Sequence, residues 1–291
     1  MIRVYYTVAG KKFCSGDIAS SEALRDLSSK ADWLWVDCAN LDNKETMILS
    51  EFFGIEAKIL NNVKKEIIHP SCERYRDYAL ISIPFVEFGN ALQLHPISVI
   101  VKEKMLITSR DEHSTKLIGN VVETLGGYMI ENGVVELSFI VGRLLREVAD
   151  ENSKAMMSLK EQIDKIEEKA LEKPWYKSVT HSVFRLKREV FALHRLLWVE
   201  RELMSDLRER VVPHIKIDEE AELIIHDAID DLDRELEFAD SYSRSLDSIL
   251  TLQDLGSIHR VERTLIFITI MILLLDVFLI IGEYILSTLV G

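Results

Sequence analysis

The stretch TLIFITIMILLLDVFLIIGEYIL, from Thr264 to Leu286, decides the fold class of this 291-residue sequence. It is about as long as the ~20 apolar residues that one helix needs to cross a hydrocarbon core ~30 Å thick. We therefore predict a single transmembrane helix over these residues. His259, Arg260 and Arg263 precede it and no Lys or Arg follows it. By the positive-inside rule, this asymmetry places the bulk of the chain in the cytoplasm.

Polar side chains recur every seven residues along this segment: Glu262, Thr269, Asp276 and Glu283. Residues seven apart share one stripe of a helix, which drifts by only ~20° per heptad. Ionisable groups inside a membrane span nearly always face protein or water. A lone helix cannot enclose a pore, so the stripe predicts a cyclic homo-oligomer in which rings of acids select cations. The alternative is that Asp276 bonds within a tight helix bundle and Glu283 reaches the outer interface.

The chain before the span is predicted to form a long helix. Eight residues keep a 4-3 spacing that is typical of a helix packed lengthwise on its neighbours: Ile225, Ile229, Leu232, Leu236, Ala239, Ser243, Leu246 and Leu250. No proline lies between Ile217 and Leu286, so one helix of about 105 Å can cover both segments at ~1.5 Å per residue. Apolar stripes predict two earlier helices, one around 159–170 and one over 178–211. The long helix reads as a stalk that joins a cytoplasmic domain to a membrane.

The stalk is strongly acidic. Between Asp218 and Asp247 the sequence has twelve acids against Arg234 and Arg244, which leaves ten negative charges in excess. One interpretation is a solvated helical face. The other is a carboxylate-rich surface that binds hard divalent cations, whose preferred ligands are oxygens.

The first hundred residues indicate an α/β domain. Runs rich in β-branched and aromatic residues predict strands over 3–8, 33–36 and 78–88, and a hairpin over 97–101 and 105–108. Pro84 favours an edge position or a bulge for its strand. Asp42 and Glu45 predict a capping box for a helix that runs to about Phe53 and is ended by Gly54. The helical character begins after Gly126-Gly127, from about residue 135.

Composition excludes several functional classes. The 35 Lys and Arg against 48 Asp and Glu give a net charge of −13, which argues against nucleic-acid binding and favours small cations as partners. Cys14, Cys38 and Cys72 suggest neither a disulfide framework nor a zinc motif. The eight histidines are dispersed, and His181 and His194, thirteen apart, lack the helical spacing of metal ligands. No phosphate loop, HExxH motif, nucleophile elbow or CxxC is present, so we expect neither an enzyme nor an organic cofactor.

Several blocks of the sequence together resemble the CorA family of magnesium and cobalt transporters. They are WLWVDCANLD from Trp33, EFFGIEAKIL from Glu51, HPSCERYRDYALISI from His69, and the segments Leu159–Pro174, Leu186–Leu207 and Ile224–Leu250. The last three are similar to the family's two acidic-tipped helices and its long stalk. The resemblance implies a funnel-shaped homopentamer whose stalk helix continues into the first, pore-lining span.

The sequence departs from the family pattern in two respects. Family members follow the first span with a Gly-Met-Asn signature and a second span, and the sequence up to Gly291 has neither. The family's regulatory magnesium sites pair an acid of the N-terminal domain with an acid of the neighbouring stalk. The stalk partner matches Asp227, with Asp230 and Asp231 able to contribute, whereas the N-terminal position is Asn62, a weaker neutral ligand.

The sequence thus predicts an α+β membrane protein. It has an N-terminal cytoplasmic α/β domain over residues 1–130, antiparallel helices with a long helical stalk over 131–263, and a single C-terminal transmembrane helix over 264–286. We expect a subunit of a CorA-like Mg²⁺/Co²⁺ channel in a prokaryotic plasma membrane, with passive flux through a homopentameric pore. Mg²⁺ is expected as cargo and as regulator. The alternative is a non-conducting, membrane-anchored cation sensor or scaffold subunit.

Overall fold

The computed structural model describes residues 2–8, 12–17, 20–60, 69–89, 91–133, 135–172, 177–210, 212 and 214–290. The strands are β1 (Ile2–Val8), β2 (Lys12–Asp17), β3 (Leu34–Ala39), β4 (Ser71–Arg74), β5 (Ala79–Phe88), β6 (Leu92–Lys102) and β7 (Met105–Arg110). The helices are α1 (Ser21–Lys30), α2 (Asn43–Phe53), α3 (Ala57–Leu60), α4 (Thr115–Asn132), α5 (Leu137–Glu172), α6 (Lys177–Arg208) and α7 (Glu219–Val290). The expected N-terminal domain of mixed strands and helices, followed by long helices, is confirmed.

The strands form one seven-stranded sheet in the order β2-β1-β3-β7-β6-β5-β4. Neighbouring strands are antiparallel except for β3 and β7, which run parallel. Trp35, Val36 and Cys38 of β3 are fully buried, because this central strand lies between covered faces of the sheet. Helices α1, α2 and α3 contribute Leu24, Phe53 and other residues to the same hydrophobic core.

The predicted hairpin and capping box are both present. Lys102 pairs with Met105 across a two-residue turn, and Glu103 in that turn has a positive φ of 51°. The Asp42 carboxylate accepts a hydrogen bond from the Glu45 backbone N–H at 2.7 Å, and the Asp42 N–H donates to the Glu45 carboxylate. Gly54 then ends α2 in the left-handed region, at φ 66°.

One local expectation holds in part and another needs correction. Strand β5 is an inner strand over 79–82, where it pairs with β4, but Pro84 lies beyond the last of these pairings, so the edge position expected from Pro84 holds at that residue. Pro84 lies opposite Pro96 of β6. The pairing of β6 with β7 begins at the next residue, Ile97. The glycine pair at 126–127 lies inside α4 rather than before the helical part of the chain.

The chain divides into two compact units. The first comprises Met1–Lys160 and Glu189–Ser241, and the second comprises Glu161–Arg188 and Tyr242–Gly291. In the first unit the sheet and its helices enclose the hydrophobic core. In the second, the described parts of α5, α6 and α7 bury aliphatic residues such as Ile163, Leu186 and Leu246, and the Thr180 hydroxyl donates to Gln253 Oε1 at 2.5 Å. The domain boundaries predicted from the sequence stay a prediction.

Candidate ion pathway and cation sites

Helix α7 is long and apolar enough to cross a membrane, by length and composition. None of its 18 most apolar consecutive residues is buried within the chain. Large side chains along it are open to the surroundings; Phe278, for example, is 78% exposed. A continuous apolar surface of this size is not stable in water. Such a surface is typical of helices that lipid or other subunits cover.

The predicted polar stripe lies along this same helix. Thr269 donates its hydroxyl hydrogen to the carbonyl of Leu265 at 2.9 Å, which leaves its oxygen lone pairs pointing away from the helix backbone. Asp276 is exposed and, within the part of the chain that the structure describes, has no hydrogen bond or ion pair. The Glu262 carboxylate lies 3.1 Å from His259 Nδ1. Position 283 is helical, but the side chain of Glu283 lies outside the described ones.

The three aspartates predicted as metal ligands line one cleft between α5 and α7, of about 540 Å³. Its charged lining comprises four aspartates and three arginines: Asp150, Asp227, Asp230, Asp231, Arg143, Arg146 and Arg234. Asp231 forms ion pairs with Arg146 and Arg234. Asp227 and Asp230 are exposed, and Asp230 lies 3.9 Å from His226. Asn62, the other predicted ligand, lies outside the described residues.

Sequence reasoning missed the arginines of this cleft. Arg143 and Arg146 are on α5, more than seventy positions from the aspartates of α7. The i,i+4 pairs of Arg143 with Glu147 and of Arg146 with Asp150, each at 3.1 Å, are local signals of a charged face on α5. Other stalk acids also meet basic groups, as Asp233 does with Arg201 at 2.9 Å. The acidic stretch is therefore a partly neutralised surface rather than a bare carboxylate array.

Comparisons with known proteins show that this chain is similar to proteins named as transporters. The family model described as CorA-like Mg²⁺ transporter protein matches residues 30–277. The cobalt/magnesium transport protein CorA of Thermotoga maritima is 22% identical over 214 residues, which cover 71% of this chain and 58% of that protein. The protein of the same name in Methanocaldococcus jannaschii is 21% identical over 242 residues, which cover 81% of this chain and 74% of that protein.

The fold also matches solved structures. The complete structure of the CorA magnesium transporter from Methanocaldococcus jannaschii superposes with a TM-score of 0.73 at 18% identity, covering 92% of this chain and 80% of that one. At that identity, the match establishes the fold. The relatives are named as transport proteins, in agreement with the expectation that this chain is not an enzyme.

Proposed function

Because the chain belongs to the CorA family of Mg²⁺ transporter proteins, we propose that it is a subunit of a divalent-cation channel with passive flux through a homopentameric pore. One observation carries the proposal: polar residues recur every seven positions along an exposed apolar helix. In a cyclic assembly, Glu262, Thr269, Asp276 and Glu283 would face the common axis. Successive rings would lie about 10.5 Å apart at ~1.5 Å per residue, a spacing that suits hydrated ions.

The assembly would lie in the plasma membrane of a prokaryote, with the sheet domain in the cytoplasm. Three basic residues, His259, Arg260 and Arg263, precede the span, and the positive-inside rule holds such residues on the cytoplasmic side. The membrane potential would drive cations inward along the acidic stripe. The family relatives named for cobalt and magnesium transport support Mg²⁺ and Co²⁺ as cargo.

The function is tested by Mg²⁺ and Co²⁺ uptake into vesicles that contain the purified full chain. We expect Asp276→Ala to lower the initial flux by about tenfold, since losing a ring of carboxylates raises the barrier to cation entry by ~1.4 kcal/mol or more. Leu274→Ala is the matched control, because Leu274 lies two positions away on the opposite side of the helix. Unchanged flux in Asp276→Ala would remove Asp276 from the pathway.

The same experiment distinguishes a channel subunit from a non-conducting sensor or scaffold subunit. A wild-type chain that assembles into a stable pentamer, as measured by its mass in detergent, yet passes no cation at any applied potential, would instead be a membrane-anchored cation sensor or scaffold subunit. A chain that stays monomeric in detergent would contradict both the pore and the pentamer.

We further propose that Asp227 and Asp230, with Asp231 and Asn62 as additional ligands, bind regulatory Mg²⁺. Asp227 and Asp230 are exposed on the wall of the cleft, which leaves their oxygens accessible to a hard cation. Asp231 is less available because Arg146 and Arg234 already pair with it.

We expect Mg²⁺ to slow limited proteolysis of the wild-type chain, and the double variant Asp227→Ala/Asp230→Ala to lose most of this protection. Asp254→Ala is the control, since Asp254 is an exposed aspartate of the same helix that does not line the cleft. Equal protection of the double variant and the wild type would exclude these two aspartates as ligands.

A further inference from the structure

Two histidines and a glutamate from three successive segments of the chain meet at one end of the sheet. Glu87 belongs to β5, His95 to β6, and His113 to the turn between β7 and α4. His95 pairs with Phe85 across the antiparallel ladder, so Glu87, two residues on, lies on the same face of the sheet. One ligand atom from each of the three side chains lies within 4.8 Å of the others.

His95 is the fixed member of this cluster. The residue is only 6% exposed, and its ring stacks between Phe85 and His113 at centroid distances of 5.0 and 4.1 Å. Its Nδ1 atom lies 3.0 Å from the Asp111 carboxylate. A carboxylate can only accept, so Nδ1 carries the hydrogen in this contact. In the neutral ring, Nε2 then presents a lone pair.

The Nε2 atom of His95 has an unusual environment. It is buried, and among the described residues it has no hydrogen-bond partner. The nearest acidic atom is Glu87 Oε2 at 3.5 Å, which also lies 3.8 Å from His113 Nδ1. A lone pair that faces a carboxylate oxygen at this range is unfavourable unless a positive charge lies between them. That charge is either a proton on Nε2 or a bound cation.

The set of available ligand atoms favours a bound cation over a proton. The His113 imidazole, stacked 4.1 Å from the His95 ring, supplies a second nitrogen ligand beside the first. Two histidines and a glutamate form the ligand set of many open zinc sites. Mg²⁺ prefers oxygen ligands and retains its water, so it competes poorly for such a set. The contact between Asp111 and His95 is the kind that orients a metal-binding imidazole.

We propose that Glu87, His95 and His113 bind a divalent transition metal of the Zn²⁺ or Co²⁺ type, and that Asp111 positions the His95 ring. Asp111 faces His95 Nδ1 at 3.0 Å and also accepts from the backbone N–H and the hydroxyl of Ser114, which fixes its carboxylate. The site lies in the sheet domain and uses no residue of α7, so it stands whether or not the chain conducts ions.

The site is tested on the purified full chain in detergent, titrated with Zn²⁺ or Co²⁺ in an excess of Mg²⁺. We expect one high-affinity ion per chain. The visible absorption bands of bound Co²⁺ should be those of nitrogen and oxygen ligands. Thiolate charge-transfer bands should be absent, although Cys14, Cys38 and Cys72 are free. Glu87→Gln and His113→Ala should each weaken binding by at least tenfold. Both positions have exposed side chains, at 63% and 58%, so these variants should keep the fold.

Two more variants complete the test. Asp111→Asn should weaken binding by about 10–100-fold while retaining the Co²⁺ bands in altered form. His181→Ala, an exposed histidine of α6, should bind as the wild type does. The proposal is overturned if the wild type binds no stoichiometric Zn²⁺ in Mg²⁺, or if His113→Ala and Glu87→Gln bind it equally well. It is also overturned if NMR finds His95 doubly protonated when Zn²⁺ is in excess.

Discussion

Replacing Asp37 by alanine is expected to lower the free energy of unfolding by about 3–5 kcal/mol, because it leaves the buried guanidinium of Arg110 without a carboxylate to balance its charge. Arg110 Nη2 and Nε donate to the two oxygens of Asp37 at 2.8 and 3.0 Å. The side chains are only 7% and 4% exposed. Thr108 adds a third donor to Asp37 at 2.7 Å, and Trp35 Nε1 donates to Thr108 in turn.

The prediction is checked by denaturant unfolding of the full chain in detergent. The double variant Asp37→Leu/Arg110→Met should recover most of the loss, since replacing a buried ion pair by apolar residues of similar volume is often close to neutral. Asp17→Ala is the matched control. Its partner Arg3 lies 3.4 Å away on the same sheet, but both side chains are about half exposed or more, so the cost should stay under ~1 kcal/mol. Equal losses in Asp37→Ala and Asp17→Ala would contradict the prediction.

The Asp37–Arg110 ion pair shows which features of the fold can be predicted from the sequence and which cannot. The sequence predicts that Trp35 lies in a strand, that Asp37 follows this strand directly, and that Arg110 lies just after the hairpin. Their contact depends on the parallel pairing of β3 with β7, in which Asp37 lies opposite Thr108 and Ala39 opposite Arg110. That pairing joins residues about seventy positions apart and leaves no local signature, so the partner of Asp37 could not be predicted.

The histidine cluster was missed because strand register, rather than any spacing along the sequence, brings its residues together. Strand β6 begins at Leu92, five residues before the predicted start at Ile97, so the predicted strand does not include His95. Only the register of β5 against β6 brings Glu87 beside His95, and only the turn after β7 adds His113. Dispersed histidines in a sequence therefore do not exclude a cluster in the fold. By contrast, the long helix α7 was predictable because its apolar pattern and its lack of proline are local properties.

The buried carboxyl of Glu200 should make stability fall as the pH rises from about 4.5 to about 8. Burial raises the pKa of Glu200 to about 8 from an ordinary 4.5, although a hydrogen bond from Asn152 acts in the opposite direction. Asn152 Nδ2 donates to Glu200 Oε2 at 2.6 Å, and its own Oδ1 accepts from the Val86 N–H at 2.8 Å. These two hydrogen bonds therefore connect α6 to α5, and α5 to strand β5 of the sheet.

The sign follows from proton binding. Between the two pKa values the folded chain keeps a proton on Glu200 that the unfolded chain releases, so each rise in pH favours unfolding. This contribution to the stability of the fold is fully present below about pH 4.5 and is lost by about pH 8. Its total is on the order of 5 kcal/mol, at 1.36 kcal/mol per pKa unit.

Glu200→Gln should remove this dependence, because the amide stays neutral and keeps an oxygen that can accept from Asn152. The thermal midpoints of the variant and the wild type, measured in detergent, should lie close together at pH 5 and separate as the pH approaches 8.5, with the variant more stable. Glu209→Gln, at an exposed position just beyond the end of α6, should follow the wild-type curve at every pH. A constant difference between Glu200→Gln and the wild type across this range would mean that Glu200 is already ionised in the folded chain.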